Sequence, residues 1–251
     1  MRLRIAKQEI TIKIKRDARW FHKDYLKFKE LLGPDSGFVL KDNYPCLRER
    51  PSNSGDIKNP YFWQDLYVAK KIFENKPIKH IDIGSRIDGF VAHVASFREI
   101  EVFDIRPLGS TIPNVTFKQV DIMDSDTMPV NYCASVSCLH TIEHLGLGRY
   151  GDALDPNGHI KGFRNITKAV SSGGTFYFSV PFGVQRIEFN AHRIFGMPYL
   201  MDLVSNDFKI KSFAFIDDDC VLHENVILDK ASTEKSFGCT HGCAIFELVK
   251  V

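Results

Sequence analysis

Acidic residues and glycines stand in this chain where a polypeptide can hold a nucleotide. Asp82, Gly84 and Gly89 fall in the segment IDIGSRIDG, and Asp104 closes the next apolar run, 22 residues beyond Asp82. In a strand–turn–helix–strand unit the turn after the first strand approaches the ligand closely, which favours glycine. An acid at the end of the second strand accepts hydrogen bonds from ribose hydroxyls. The dinucleotide fingerprint G-x-G-x-x-G is not present, because Gly84-Ser85-Arg86 puts arginine where its second glycine would stand. A charge-poor adenosyl ligand therefore suits the turn better than a pyrophosphate.

A second polar cluster, His140-Thr-Ile-Glu143-His144, directly follows the apolar run 133–138. In an open α/β sheet the carboxyl end of a strand faces the ligand crevice. Read as a pattern, H-x-x-E-H is an inverted zinc-protease motif, which needs both histidines on one face of an unbroken helix. Leu145-Gly146-Leu147-Gly148 follows at once and argues against such a helix.

Around these residues lie groups suited to an acceptor. Arg149, next to Tyr150, can hold a phosphate of a nucleotide-linked or lipid-linked sugar. Asp152 either borders the acceptor or belongs to the turn before a helix near residue 160, with Asp155 or Asn157 at its cap. Segment 181–193 mixes Phe189 with Arg186, Asn190, His192 and Arg193, and sugars bind by stacking on rings and hydrogen-bonding to such groups. Asp217-Asp218-Asp219 is readable as a cation site and more simply as a solvated acidic turn. Cys239-Thr-His241-Gly-Cys243 gathers two thiols and an imidazole but lacks the second ligand pair of a zinc knuckle; the simpler reading starts the last strand at Cys243.

The elements that must position these groups follow from periodicity. Residues 61–75 place Phe62, Leu66, Ala69, Ile72 and Phe73 at helical spacing, and Pro77 ends that helix. Strand signals at 78–83, 100–103, 115–120, 133–138 and 175–180 alternate with helix signals at 89–97 and 160–171. A helix near 197–204 and apolar runs at 209–216 and 243–251 follow. Such alternation predicts a mainly parallel sheet with helices on both faces. Ser171-Ser172-Gly173-Gly174 reads as a helix stop and turn. Residues 1–60 differ, with a basic, β-branched opening, a helical stretch near 18–32 and a Pro/Gly/Asn-rich connection, and read as an N-terminal extension before a domain over 61–251.

Composition narrows the classes. With 251 residues, 44% of them hydrophobic, the chain can bury one large α/β core. Thirty-three basic against 31 acidic residues leave a net charge of +2, no electrostatic reason to expect a nucleic-acid partner. The basic start (Arg2, Arg4, Lys7, Lys13, Lys15, Arg16) reads as a solvated face. No run of about 18 apolar residues and no signal-peptide core is present, so no transmembrane segment and a cytoplasmic location are expected. Six scattered cysteines read as reduced thiols.

The order of parts resembles a class I S-adenosylmethionine-dependent methyltransferase. The resemblance rests on IDIGS, the strand-ending Asp104, Val120-Asp121-Ile122, SCLHTIEH and SSGGTFYFSVPFG, over roughly residues 61–251. More narrowly, DIGSRIDGF, FDIRPL and EHLGLGRYGD are similar to an uncharacterised methyltransferase-like family met in surface-polysaccharide gene clusters and in some animals. The resemblance implies a Rossmann-like α/β fold with a mainly parallel seven-stranded sheet. It places Asp82, Gly84, Ser85, Arg86 and Gly89 around the methionine moiety of S-adenosyl-L-methionine, Asp104 and Ile105 at the ribose, and Asp121 and Ile122 at the adenine. Arg86 departs from the glycine-rich motif: it either pairs with the cofactor carboxylate or fills the pocket. Transfer to a hydroxyl needs a base, for which His140 and His144 stand first, with Glu143 as orienter and His192 second. The expected activity is O-methylation of a sugar or glycan intermediate of polysaccharide biosynthesis; the alternative is an inactive methyltransferase-fold binding or assembly protein. Some sugar methyltransferases use Mg²⁺, but no clear cation site is legible, and the oligomeric state is not legible either.

Overall fold

The computed structural model describes residues 19–33, 36–41, 43–55 and 57–251. The basic opening and its β-branched run lie outside these residues. The chain divides into two compact units, the first ending at Asp56 and the second spanning Ile57–Val251. In the first, residues 19–31 are helical (α1). The Arg50 guanidinium lies 4.4 Å from the Trp20 ring centre and 3.3 Å from Asp24 Oδ2.

The second unit opens with α2, Pro60–Asn75. The Asn59 side chain accepts the Tyr61 N–H at 2.9 Å, and Pro60 occupies a first-turn position that needs no donor. Lys76, in the left-handed region, and Pro77 stop it. Its buried face is not the expected one. Ala69 and Ile72 are buried, but Phe62, Leu66 and Phe73 are 40%, 48% and 57% exposed, while Gln64, Asp65, Tyr67 and Val68 turn inward. The polar pair can be buried because Ser179 Oγ donates to Gln64 Oε1 at 2.5 Å and Gln64 Nε2 to Asp65 Oδ1 at 3.0 Å.

Strand β1 is Ile81–Ile83; a π-type turn, Ile87–Val91, runs into α3, Ala92–Ala95. Then come β2 (Ile100–Asp104), β3 (Val115–Gln119) and β4 (Cys133–Leu139), a single 3₁₀ turn at Ile142–His144, and α4 (Gly158–Ala169). Strand β5 (Val170–Gly183) leads into the hairpin β6 (Arg186–Glu188) and β7 (His192–Ile194) and to α5 (Met197–Ser205). The chain ends with β8 (Phe208–Ile216), β9 (Leu222–His223), α6 (Lys230–Glu234) and β10 (His241–Lys250).

The sheet order is β3-β2-β1-β4-β5-β10-β8-β9, with β1 to β5 parallel and β10 antiparallel to both β5 and β8. The mainly parallel sheet is as expected, with eight strands instead of seven. The addition, β9, pairs through two residues only and is too short to leave a periodic signal. Alternating side chains serve the two faces: Phe176 and Phe178 join Phe163, Phe213 and Phe246 in one core, while Tyr177 joins Tyr67, Val68 and Ile72 in the other. Residues 171–174 do not separate helix from strand as a simple turn. They bulge from β5, whose pairing jumps from Cys133↔Val170 to Ser135↔Thr175.

Candidate active site

The chain reverses its strand order at β1, between β2 and β4, where an α/β sheet forms a ligand crevice. A cleft of about 890 Å³ opens there, lined from the carboxyl ends of β1 to β4 and from α2.

The turn after β1 is held from beneath. Asp82 is fully buried, is not a cleft residue, and accepts hydrogen bonds from Ser85 N–H (3.0 Å), Ser85 Oγ (2.8 Å) and Ser137 Oγ (2.6 Å). Through these bonds it positions the turn. Burial pushes its carboxyl up to about 7. Behind it lies His80, between Ser135 (Nδ1, 2.8 Å) and Ser137 (Nε2, 3.0 Å). Since Ser137 gives its proton to Asp82, His80 Nε2–H donates to Ser137; burial brings the ring down to about 3 and keeps it neutral.

Gly84, Ser85, Arg86 and Gly89 line the cleft. Gly84 has φ +75°, and a Cβ there would stand 2.4 Å from Thr141 Cγ2. Glycine is therefore required twice over, by backbone and by neighbour. Arg86 is 71% exposed and paired with Asp88, Nη2 to Oδ2 at 2.7 Å. It stands at the rim without filling the cleft.

Asp104, Ile105, Asp121 and Ile122 line the cleft as expected. Asp104 is occupied: Arg106 donates its N–H and Nε to Oδ1 at 2.8 and 3.0 Å, and Nη2 to Oδ2 at 2.6 Å. Asp121 Oδ1 accepts the Met123 N–H at 2.9 Å.

After β4, His140 takes the left-handed conformation (φ 52°), a strained state for a non-glycine residue. Its ring is wedged between Tyr61 (centroids 4.8 Å apart), Cys243 Sγ (3.3 Å from Nε2) and Glu143 Oε1 (3.3 Å from Nδ1). Burial opposes its charge, but the Cys243 sulfur and the Glu143 carboxylate outweigh that and raise its pKa well above the ordinary histidine value. Glu143 is fully buried, lies off the cleft, and stands 3.6 Å from His144 Nε2. Neither of its oxygens has a hydrogen-bond partner, so it acts on both rings by charge. His144 donates Nδ1–H to the Ala191 carbonyl at 2.7 Å, and burial lowers its pKa. His140 and His144 both line the cleft. The 3₁₀ turn ends at His144, and Gly146 has φ +76°, with the Asp155 carbonyl 2.0 Å from where a Cβ would be. The helix that an inverted zinc-protease motif requires is not formed.

Arg149 and Tyr150 line the cleft. The Tyr150 ring centre is 4.7 Å from the Arg106 guanidinium carbon and 5.2 Å from that of Arg149. Asp152 also borders it, and its carboxylate accepts the Gly146, Gly148 and Tyr150 amides, which shapes the loop. Asp155 binds the Asn157 amide and Lys161, close to the start of α4.

The 181–193 segment, expected as an acceptor wall, folds as the β6–β7 hairpin. His192, Arg186, Asn190 and Arg193 are not cleft residues. Arg193 is buried and donates to the carbonyls of Glu143, Leu145 and Pro156, fastening the hairpin to the loop after β4. Arg186 binds Glu188 and the Val184 and Thr240 carbonyls; His192 faces Glu188. Asn190 is exposed at the hairpin turn. The hairpin meets the site at the Ala191 carbonyl, at the His192 ring, 6.4 Å from that of His144 between centroids, and at Arg193, which donates to the carbonyl of the cleft residue Leu145.

The sequence reading missed Asn59, Tyr61, Gln64 and Asp65 of the α2 region, all of which line the cleft. It also missed Arg106, although Arg106 follows Asp104 by two, a spacing that permits the observed grip. Burial raises the Asp65 pKa. Among the described residues no group of three His, Cys, Asp or Glu side chains is arranged to hold a metal. Cys243 turns to His140 and Gln64, and burial raises Cys239 to about 11. Asp217 holds His223, and Asp218 holds Thr240 and the His241 amide. No helix among the described residues is long and apolar enough to cross a membrane.

Solved structures share the architecture. N-methyltransferase NodS from Bradyrhizobium japonicum WM9, in complex with S-adenosyl-L-homocysteine, is similar with TM-score 0.51 and 10% identity over 76% of this chain and 88% of that one. The Burkholderia thailandensis 1,6-didemethyltoxoflavin-N1-methyltransferase gives 0.52 and 13% over 77% and 79%. The [4+2]-cyclase SpnF gives 0.52 and 12% over 78% and 85%. The fold is thus the Rossmann-like methyltransferase fold, and the cyclase shows that the fold alone does not fix a reaction. A comparison with curated proteins finds no match. A family profile, by contrast, matches residues 94–234, more than half of the chain, and the chain belongs to the family described as Caenorhabditis protein of unknown function, DUF268.

Proposed function

We propose that the protein is an S-adenosylmethionine-dependent methyltransferase acting on an oxygen of a sugar or glycan intermediate, in the cytoplasm. The observation that carries this reading is the convergence of the Gly84–Gly89 turn, Asp104 and Asp121 on one cleft at the reversal of strand order. The volume of about 890 Å³ suits a nucleoside-sized ligand with room for an acceptor. The sugar acceptor rests on the resemblance to a surface-polysaccharide family, an analogy of motifs.

When bound, S-adenosylmethionine supplies an electrophilic methyl group on a sulfonium. The chain does the rest. The turn beyond Gly84 leaves space for the amino-acid portion. Asp104 accepts ribose hydroxyls, Asp121 accepts the adenine amino group, and Ile105 and Ile122 pack against the base. His144 is kept neutral by burial, and with its Nδ1 proton on Ala191 its lone pair is on Nε2; it takes the acceptor proton. His140, paired with Glu143, supplies a fixed positive charge beside it. The body of the enzyme is residues 61–251, and residues 1–60 form the extension.

Incubation with methyl-labelled S-adenosylmethionine and a panel of sugars, sugar phosphates and nucleotide sugars tests this. Label is expected in an alkali-stable O-methyl sugar. Cofactor binding without label in any sugar would contradict the assigned acceptor class.

A further inference from the structure

Three guanidinium groups line the cleft, and two are neutralised within the chain: Arg86 by Asp88 and Arg106 by Asp104. Among the described residues Arg149 has no carboxylate within 4.0 Å. It is nevertheless fixed. Its Nη1 donates to the Ala191 carbonyl at 2.9 Å, and its guanidinium carbon lies 5.2 Å from the Tyr150 ring centre. The loop that carries it is clamped by Asp152, which accepts three backbone amides. The same Ala191 carbonyl accepts the His144 Nδ1–H at 2.7 Å, so Arg149 and the base assigned above hang from one oxygen.

We infer that the acceptor carries an oxyanion, held by Arg149 so that a neighbouring hydroxyl meets His144. This rests on the methyl-transfer reading of the cleft. A guanidinium is always charged and forks its donors toward phosphate or carboxylate, and one already in place loses little freedom on binding. Arg149 is exposed, so water solvates its charge in the open cleft, and an oxyanion that takes the water's place gains a charge-assisted forked pair that a neutral sugar cannot make. The shared chemistry is an oxyanion attached to a sugar, as in a sugar phosphate or a uronic acid.

The test is calorimetric titration of the full chain, saturated with S-adenosylhomocysteine, with glucose 1-phosphate, glucuronate and glucose. At least one charged sugar is expected to bind tenfold or more tightly than glucose, and the better of the two identifies the oxyanion. That advantage is lost in Arg149→Gln and partly kept in Arg149→Lys, with S-adenosylhomocysteine affinity unchanged in both. Equal binding of charged and neutral sugars, or an advantage that survives Arg149→Gln, overturns the inference. So does an equal loss of S-adenosylhomocysteine affinity in Arg149→Gln, which would give Arg149 to the cofactor. If the wild type does not bind S-adenosylhomocysteine at all, the cofactor reading fails, and the same sugar comparison without it still decides the role of Arg149.

Discussion

Arg106 holds the Asp104 carboxylate at both oxygens, Nε to Oδ1 at 3.0 Å and Nη2 to Oδ2 at 2.6 Å. With the Arg106 N–H also on Oδ1, three of the carboxylate's roughly four acceptor positions are taken. Two ribose hydroxyls cannot both bind Asp104 unless the guanidinium swings away. Arg106 is 44% exposed but the Asp104 side chain only 10%, and the grip is bidentate, so releasing it costs about 1 kcal/mol or more. Arg106→Ala is therefore expected to raise S-adenosylhomocysteine affinity by about fivefold or more. A tenfold loss in calorimetry would mean that Arg106 touches the ligand instead of competing with it.

Gly84 and Thr141 form a second testable pair. Gly84→Ala puts a side chain on a left-handed residue, at about 1–2 kcal/mol, and drives a Cβ into the Thr141 methyl group. Both the thermal midpoint and cofactor affinity are expected to fall. Thr141→Ser in the same chain removes the methyl and should recover part of each loss. No recovery in the double variant would show that the Thr141 methyl group is not the obstacle.

The fold was legible because its signals are local: apolar runs of strand length, proline and glycine stops, and an acid at the ends of the first two strands. The places of Asp104, Asp121 and the glycines of the first turn along the cleft were legible for the same reason, since they follow from position along the strand–turn units. Asp65 was not, because a polar residue on an otherwise amphipathic helix reads as solvent-facing until Gln64 and Ser179 are known to compensate its burial. Asp82 and Arg193 are the converse case. Their types suggest ligand contact, yet the serines around Asp82 and the three carbonyls around Arg193 consume them, and those partners lie up to 55 residues away in sequence. Cys243 reaches His140 across 103 residues, a relationship no spacing rule contains.

Asp82 makes stability depend on pH. A carboxyl whose pKa rises from 3.8 to about 7 on folding binds its proton more tightly in the native state. Its stabilising effect is complete below the unfolded value, is lost as pH climbs to about 7, and is constant above. Asp82→Asn does not titrate and should show a shallower decline between about pH 4.5 and 7.5 in urea unfolding. Identical declines in the two proteins would remove Asp82 as the source.

The two cleft histidines should separate in their titration. His140 is expected to stay protonated through neutrality, and Glu143→Gln to bring its ring resonances down toward ordinary histidine behaviour. His144 should titrate below the ordinary value, so methyl transfer rises with pH through that lower value and is flat at neutrality. His144→Ala is expected to slow transfer about 100-fold or more, and His140→Ala to slow it as well, both with S-adenosylhomocysteine affinity intact. A His140 resonance insensitive to Glu143→Gln would break the assigned pairing.

In the proposed function the cleft holds an adenosyl cofactor through Asp104. Calorimetric titration of S-adenosylhomocysteine into the wild type and Asp104→Ala tests it most directly. Wild-type binding in the micromolar range, about −8 kcal/mol, is predicted, with a loss of about 10- to 100-fold in the variant for the missing charged acceptor. No heat with millimolar ligand, or equal affinity in the two proteins, would contradict it.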